Sequence, residues 1–546
     1  MHRLLVLFIL LLQTILLQGQ FIQDYSAEEK QLIANRIFSH VSALAHDSMM
    51  GREAGTDGEL MAMYYIAAQF KDAGLQPLPE KNYFIPFQFS EGYTYKAGAV
   101  YVNEKSFRLN QHLFYINPLV NYNFSGKIYF AATGLNNNDY AGLHPSFNKN
   151  VVIAIDVNYA DTCKNCSPQE YTALLESAVN KATLFNPEAV ILVSSREKKF
   201  PVTASFNTEK NKPSVPVIGA GKDLSRAILK NKQGNFRSEC EFSKNEKTGY
   251  NVASWIDNGK PTTIVLGAHY DHLGFGSAGS LSPDSAVHNG ADDNASGTAV
   301  LIEMARHISN AGSLQHNFVF VAFSAEEKGL LGSKAFLNQR NIADSNILAM
   351  LNFDMVGRMD TANPMLNVLG TGTAAEWDSI ISRAYSGPVR IRQSESGTAG
   401  SDQMSFYLKD IPVLFFITGM HEDYHKPTDD AEKINREGMA DVLKIALEIT
   451  EELNELKELH FVRTESRGGD RTKRPGVTLG VIPDHAWDGK GMRIDAVTKD
   501  RTADKAGMLK GDIVIQIDDM PVTDIMSYMK ALSAYKKGDK AKITYL

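Results

Sequence analysis

Cysteine is scarce: 546 residues hold three, Cys163, Cys166 and Cys240. That is too few for a disulfide scaffold, and too few for the four ligands of a structural zinc site. Cys163 and Cys166 could close a small disulfide in an exported protein, whereas a redox Cys-x-x-Cys role lacks its strand-to-helix context. Basic excess is also missing, with 56 Lys and Arg against 63 Asp and Glu and a formal charge of −7. A chain that follows nucleic-acid phosphates needs a basic surface, so no nucleic-acid partner is expected. Long apolar runs are absent beyond the N-terminus, and a bilayer span needs about 20 such residues. No internal repeat or low-complexity tract is present. Hydrophobic residues at 43%, charged residues at 22%, 41 Gly and 19 Pro lie near globular averages, which excludes collagen-like, coiled-coil and wholly disordered classes. At roughly 150 residues per domain, the length predicts about three to four domains.

His2 and Arg3 precede an apolar stretch that runs from Leu4 to Leu12 and resumes at Ile15 to Leu17, ahead of Gly19. This reads as an export signal over residues 1–20, because the run is broken by Gln13 and Thr14 and is too short for an anchor. The expected location is therefore the periplasm or the medium. Helical spacing follows over Ala27 to Ala45 and over Gly58 to Ala73, the second ending at Gly74. Between about 96 and 244 short β-rich runs are separated by Asn, Gly, Pro and Ser, which predicts a β-rich insert. From Tyr250, strands at Thr262 to Ala268, Asn317 to Phe323, Ala349 to Phe353 and Val413 to Thr418 alternate with helices. Such alternation predicts an α/β fold with a mostly parallel or mixed central sheet flanked by helices. The polar stretch 461–476 reads as a linker, and 477–546 as a small C-terminal β module.

Polar residues stand where these strands end. His269 and Asp271 follow the first strand, Glu326 and Glu327 the second, Asp354 the third, and His425 follows the fourth after a short loop. The carboxyl ends of strands define the ligand crevice of an open α/β sheet, so these side chains can converge. Asp292 lies just before a helix in the stretch Gly290 to Gly297, where it could equally serve as a cap. Two imidazoles and several carboxylates form a nitrogen and oxygen set suited to zinc, with cobalt or manganese as substitutes. Five ligands satisfy a pair of ions with one bridging carboxylate, and leave one member of the Glu326 and Glu327 pair free as a base.

The segments Ala268 to Gly274, Gly290 to Gly297, Ser324 to Ser333, Asn352 to Gly357 and Asp423 to Asp430 resemble the five metal-site motifs of the M28 zinc metallopeptidases. Gly51 to Thr56 resembles that family's N-terminal segment, which puts the peptidase core, a zinc exopeptidase fold, at 21–95 and 245–460. The resemblance implies two zinc ions, one on His269 and Asp354, the other on Glu327 and His425, with Asp292 bridging and an Asp292–Asp293 peptide that is cis. It implies Glu326 as the general base, which takes a proton from the attacking water and delivers it to the leaving amine. Asp271 would orient His269, and Tyr424 would hydrogen-bond the developing oxyanion. The implied activity is removal of N-terminal residues from peptides with free N-termini. Carboxypeptidase, single-zinc glutaminyl cyclase and a non-catalytic peptide-binding scaffold are the alternatives. One departure is Gly400 before Ser401-Asp402, where some secreted members carry a substrate-binding Arg. Met355 and Phe416 are candidates to line a specificity pocket or to be core. The insert 96–244 resembles a protease-associated domain, and 477–546 resembles a PDZ domain, through Leu479 to Val481 and Ala503 to Val514, that binds extended peptide ends by strand addition. The sequence given stops at Leu546, where a final strand would be expected, so the module is either short or continues beyond it.

Overall fold

The structure is a computed structural model. It describes residues 25–546 except 80–81, 109–112, 116–120, 144–149, 158–167, 195–214, 277–278, 283–284, 313, 341, 399, 465–476, 484–489, 498–500, 524, 533–534 and 536–537. The expected export signal, the Cys163 and Cys166 pair and most of the expected linker lie outside the described residues.

The strands Thr263–His269, Asn317–Phe323 and Ile347–Phe353 are buried along their whole length. This is the pattern of a sheet covered on both faces. They pair in parallel, with Thr263–His269 between the other two. Val413–Ile417 adds in parallel beside Ile347–Phe353. Met365–Leu369 then pairs antiparallel with it, and Arg390–Ser394 closes that edge in parallel. Successive side chains go to opposite faces, as the pleat requires. Ile264, Leu266 and Ala268 enter the core formed with the helices Ala27–Leu44, Asp57–Asp72, Gly297–Ser309 and Arg436–Asn454. Val265, Val319 and Val321 face the other way, onto Phe336, Phe406 and Val413. Met355 and Phe416 are 3% and 0% exposed, which makes both core residues. No helix among the described residues is long and apolar enough to cross a membrane.

The insert is carried on a continuous β ribbon. Phe84–Val102 and Asn235–Ile256 run antiparallel, pairing Phe84 with Val252 at one end and Val102 with Phe236 at the other. The near end joins the core sheet through Ala253 and Ile256 on Asn317–Phe323. The far end joins Asn121–Phe130, which leads through parallel pairings to Val151–Asp156, Ala189–Val193 and Val217–Ala220. Besides its strands the insert has the helices Pro168–Thr183 and Lys222–Lys230, more helix than its β-rich sequence suggests. The C-terminal module has its own core, including Met492, Ile494, Val514, Ile517, Tyr528 and Leu532. Its last strand, Ile543–Tyr545, pairs with Ile513–Ile517.

Candidate metal centre

His269 is the last residue of its strand, and Asp354 follows Phe353 directly. Glu326 and Glu327 lie just beyond Phe323, His425 lies in the loop after Ile417, and Asp293 sits in the turn Ala291–Ser296 that leads into Gly297–Ser309. All therefore stand at the carboxyl edge of the parallel strands, where ligand sites of such sheets form. Ala325, Met355 and His425 hold left-handed backbone angles, with φ of 53°, 55° and 55°. Each position adjoins or is a site residue, and a non-glycine residue in this region costs about 1–3 kcal/mol and persists only where the surroundings enforce it.

Asp293 is the centre of the cluster. Its Oδ1 lies 3.4 Å from His269 Nε2 and its Oδ2 3.2 Å from His425 Nε2. His269 Nε2 also lies 3.3 Å from Asp354 Oδ1, and His425 Nε2 lies 3.3 Å from Glu327 Oε2. Two sets of donors thus share one carboxylate: His269, Asp293 and Asp354 on one side, and Asp293, Glu327 and His425 on the other. Both imidazoles have the distal nitrogen anchored, His269 Nδ1 on the Asp271 main-chain oxygen at 3.1 Å and His425 Nδ1 on the Gly279 oxygen at 2.9 Å. That is how metal-binding imidazoles are usually held.

Asp292, expected to bridge, is directed elsewhere. Its Oδ1 accepts the Gly357 N–H at 2.6 Å and its Oδ2 lies 3.1 Å from His421 Nε2. The chain leaves helical geometry at Asp293 (φ −107°, ψ 92°), and so the two adjacent side chains diverge. The cis peptide is accordingly Asp293–Asn294 rather than Asp292–Asp293.

The charges fit a cation site. Burial opposes charge on both histidines, yet the surrounding carboxylates win: Asp354, Asp271 and Asp293 hold His269 well above its ordinary value, and Asp293 with Glu327 raises His425 to about 11. Burial likewise raises Glu327, but its own repulsion from Asp293 notwithstanding, His272 and His425 draw it down to about 2. The pocket therefore collects positive charge, and nitrogen and oxygen donors without cysteine match zinc.

Glu326 is partly buried, and its carboxyl is pushed well above the ordinary range by burial, against His269, and further by Glu327, Asp402 and Asp354. Its backbone N–H donates to Asp271 Oδ1 at 3.0 Å. The Asp271 carboxylate lies 3.7 Å from His269 Nδ1, so the main-chain oxygen of Asp271, more than its carboxylate, orients His269. Tyr424 stacks on His425 with ring centroids 3.8 Å apart. Burial, then the carboxylates of Asp293, Glu327, Glu326 and Asp354, push its phenol well above the usual range, which places Tyr424 in the field of the cluster.

Four residues contribute that the sequence reading did not single out for a role. Arg52 is fully buried and donates to the main-chain oxygens of Leu44, Tyr270, Asn289 and Gly290 at 2.6–3.0 Å. Asp429 Oδ2 accepts the N–H groups of Asp292 and Asp293, at 2.9 and 3.1 Å. Asp402 is completely buried, with both carboxylate oxygens unpartnered; burial raises it to about 7, against the pull of His269. His272 Nδ1 lies 3.0 Å from Glu327 Oε1. A second histidine three residues after His269 was the available signal for the last of these.

A mixed sheet bearing an imidazole and carboxylate cluster at the carboxyl ends of its parallel strands defines an α/β protein with a candidate two-ion centre. Residues 251–450 match the sequence model of Peptidase family M28, and residues 464–546 match the model of the PDZ domain. Aminopeptidase YwaD of Bacillus subtilis (strain 168) is 29% identical over 262 residues, 46% of this chain and 53% of that protein. Leupeptin-inactivating enzyme 1 of Streptomyces exfoliatus is 31% identical over 198 residues, 35% of this chain and 40% of that protein. The chain spans about half the length of the curated relatives it matches. Among solved structures, an aminopeptidase from Aneurinibacillus sp. strain AM-1 aligns over 80% of this chain and 96% of that one, with 22% identity and a TM-score of 0.44.

Proposed function

We propose that the chain is an exported two-zinc aminopeptidase that removes residues from the free N-termini of peptides. The observation that carries the reading is the divided carboxylate of Asp293, one oxygen facing His269 and the other His425. His269, Asp293 and Asp354 would hold one ion, and Asp293, Glu327 and His425 the other. Zinc, when bound, supplies Lewis acidity, which polarises a peptide carbonyl and acidifies water. Glu326 takes a proton from the attacking water as its oxygen joins the carbonyl carbon. It returns that proton to the amine as the carbon–nitrogen bond breaks. The Tyr424 hydroxyl donates to the oxygen that gains charge. Asp271 positions His269 and Glu326, while Asp429 fixes the turn that presents Asp293. YwaD, which carries the name aminopeptidase, supports the choice of peptide end. Export rests on residues 1–20. In the C-terminal module Val481–Pro483 pairs on one side with Met492–Val497 and is the edge of its sheet among the described strands, which suits addition of an extended peptide end as a further strand.

Metal content measured together with hydrolysis of free and N-acetylated peptides, for the wild type and Glu326→Gln, tests the reading. About two zinc per chain, cleavage of free N-termini alone, and a loss of about 10²–10⁴-fold in kcat with metal retained are expected. Zinc bound without cleavage of any peptide, or activity untouched by the substitution, overturns it.

A further inference from the structure

Three imidazoles surround the cluster, and they are not equivalent. His269 and His425 each have the nitrogen that faces away from Asp293 anchored on a main-chain oxygen. His272 is 1% exposed, and its Nε2 is buried with no hydrogen-bond partner. That nitrogen is unpartnered in either tautomer, so the choice lies at Nδ1, where a proton on Nε2 would set a ring lone pair against the Glu327 carboxylate 3.0 Å away. With the proton on Nδ1 instead, the ring donates to an anionic oxygen, Glu327 Oε1 at 3.0 Å. The other oxygen, Oε2, is the one that faces His425 Nε2 at 3.3 Å. From Asp293 Oδ2, His272 Nδ1 is 3.9 Å away against 3.2 Å for His425 Nε2. Packing fixes the ring: a Cβ on Gly290, which has φ of +53°, would come within 2.5 Å of the His272 Cδ2.

We propose that His272 is a positioning residue of the metal centre: its Nδ1–H occupies Glu327 Oε1 and thereby holds Glu327 as a ligand through Oε2 alone. This rests on the two-ion reading above. The ring does not bind metal; it removes one of the two oxygens by which Glu327 could chelate and fixes the rotamer of the other. The ion held by Glu327 and His425 gains an aimed donor, and a coordination position that a chelating carboxylate would fill stays open.

The test is zinc affinity by chelator competition, which needs no turnover. The ions are told apart in Asp354→Asn and Glu327→Gln backgrounds, each of which leaves one donor set intact. His272→Phe keeps an aromatic ring, somewhat larger, and removes the donor, while His272→Asn offers an amide N–H close to the former Nδ1. In the Asp354→Asn background, His272→Phe is expected to weaken zinc about 10–100-fold, with most of that recovered by His272→Asn. In the Glu327→Gln background neither substitution is expected to change affinity. Unchanged affinity in the first background, or equal loss in both, overturns the proposal. So does a loss with His272→Phe that His272→Asn fails to recover, since the imidazole itself would then be a ligand. A chain with otherwise native residues that binds fewer than two ions overturns the two-ion reading instead, whatever the His272 variants do.

Discussion

Asp292 and Asp293 are neighbours in sequence and face opposite sides of one turn: Asp293 divides its oxygens between His269 and His425, while Asp292 takes the Gly357 N–H and the His421 ring. The two substitutions should therefore separate cleanly. Asp293→Asn removes the shared donor and is expected to abolish binding of both ions by equilibrium dialysis. Asp292→Asn should retain metal and cost about 1–3 kcal/mol in a denaturant titration, from a weakened buried acceptor behind Asp354. Full metal binding by Asp293→Asn would return the bridging role to Asp292.

Acid should loosen the helix behind that turn through Glu303. This residue is completely buried on Gly297–Ser309, with Arg36 Nη2 at 2.9 Å, Arg306 Nε at 3.3 Å and His40 Nε2 at 3.5 Å. Burial raises its carboxyl, but His40 and Arg36 outweigh that and lower it from 4.5 to about 2. A folded value below the unfolded one means that the ionised form favours folding. Its stabilisation, about 3 kcal/mol at neutral pH, is complete above about pH 5 and is lost as pH falls towards 2. Glu303→Gln should lower the neutral-pH stability of the core by a comparable amount and flatten its acid dependence between pH 5 and 2. An unaltered acid limb in the variant would remove Glu303 from the account.

The parts of this fold that were legible are those where one physical requirement dominates. Asn317–Phe323 is a buried run that only a strand between two covered faces can use, and His269, Glu327, Asp354 and His425 stand out as polar residues beyond such strands. Other parts depend on partners far along the chain. Met365–Leu369 and Arg390–Ser394 carry Asn367, Arg390, Arg392 and Gln393 near the sheet edge, where partial exposure weakens the apolar pattern. Tandem aspartates before a helix carry no local signal for which one turns inwards; that depends on Asp429, more than 130 residues away. The protease-associated resemblance indicated an insert, but neither its two helices nor the ribbon that carries it follows from short β-rich runs alone.

Metal removal should be felt as stability, because Asp293, Glu327 and Asp354 are held together with little solvent. Zinc that binds the folded state alone stabilises it by about 2.7 kcal/mol at 100 times its dissociation constant and about 4 kcal/mol at 1,000 times. Calorimetry with and without chelator should show a zinc-dependent rise in the melting of the core, which Asp293→Asn eliminates. The same rise in that variant would mean that zinc binds elsewhere.

Arg52 gives the most severe expectation for a residue outside the ion-binding set. Its guanidinium ties the end of the first helix, at Leu44, to the main chain of Tyr270 beside His269 and to Asn289 and Gly290 ahead of Asp293. The Arg52 main-chain oxygen also accepts the His272 N–H at 3.2 Å. Arg52→Met would preserve much of the apolar stem and leave four carbonyl oxygens without these donors, while Arg52→Lys would restore charge without the planar fork. At about 1–3 kcal/mol for each buried group left unpaired, Arg52→Met should be the least stable of these variants by denaturant midpoint. Because the lost bonds hold both the His269 strand end and the Asp293 turn, whatever folded protein remains should also bind zinc more weakly at both positions. A stable Arg52→Met with native zinc affinity would show that these loops hold their geometry without the arginine.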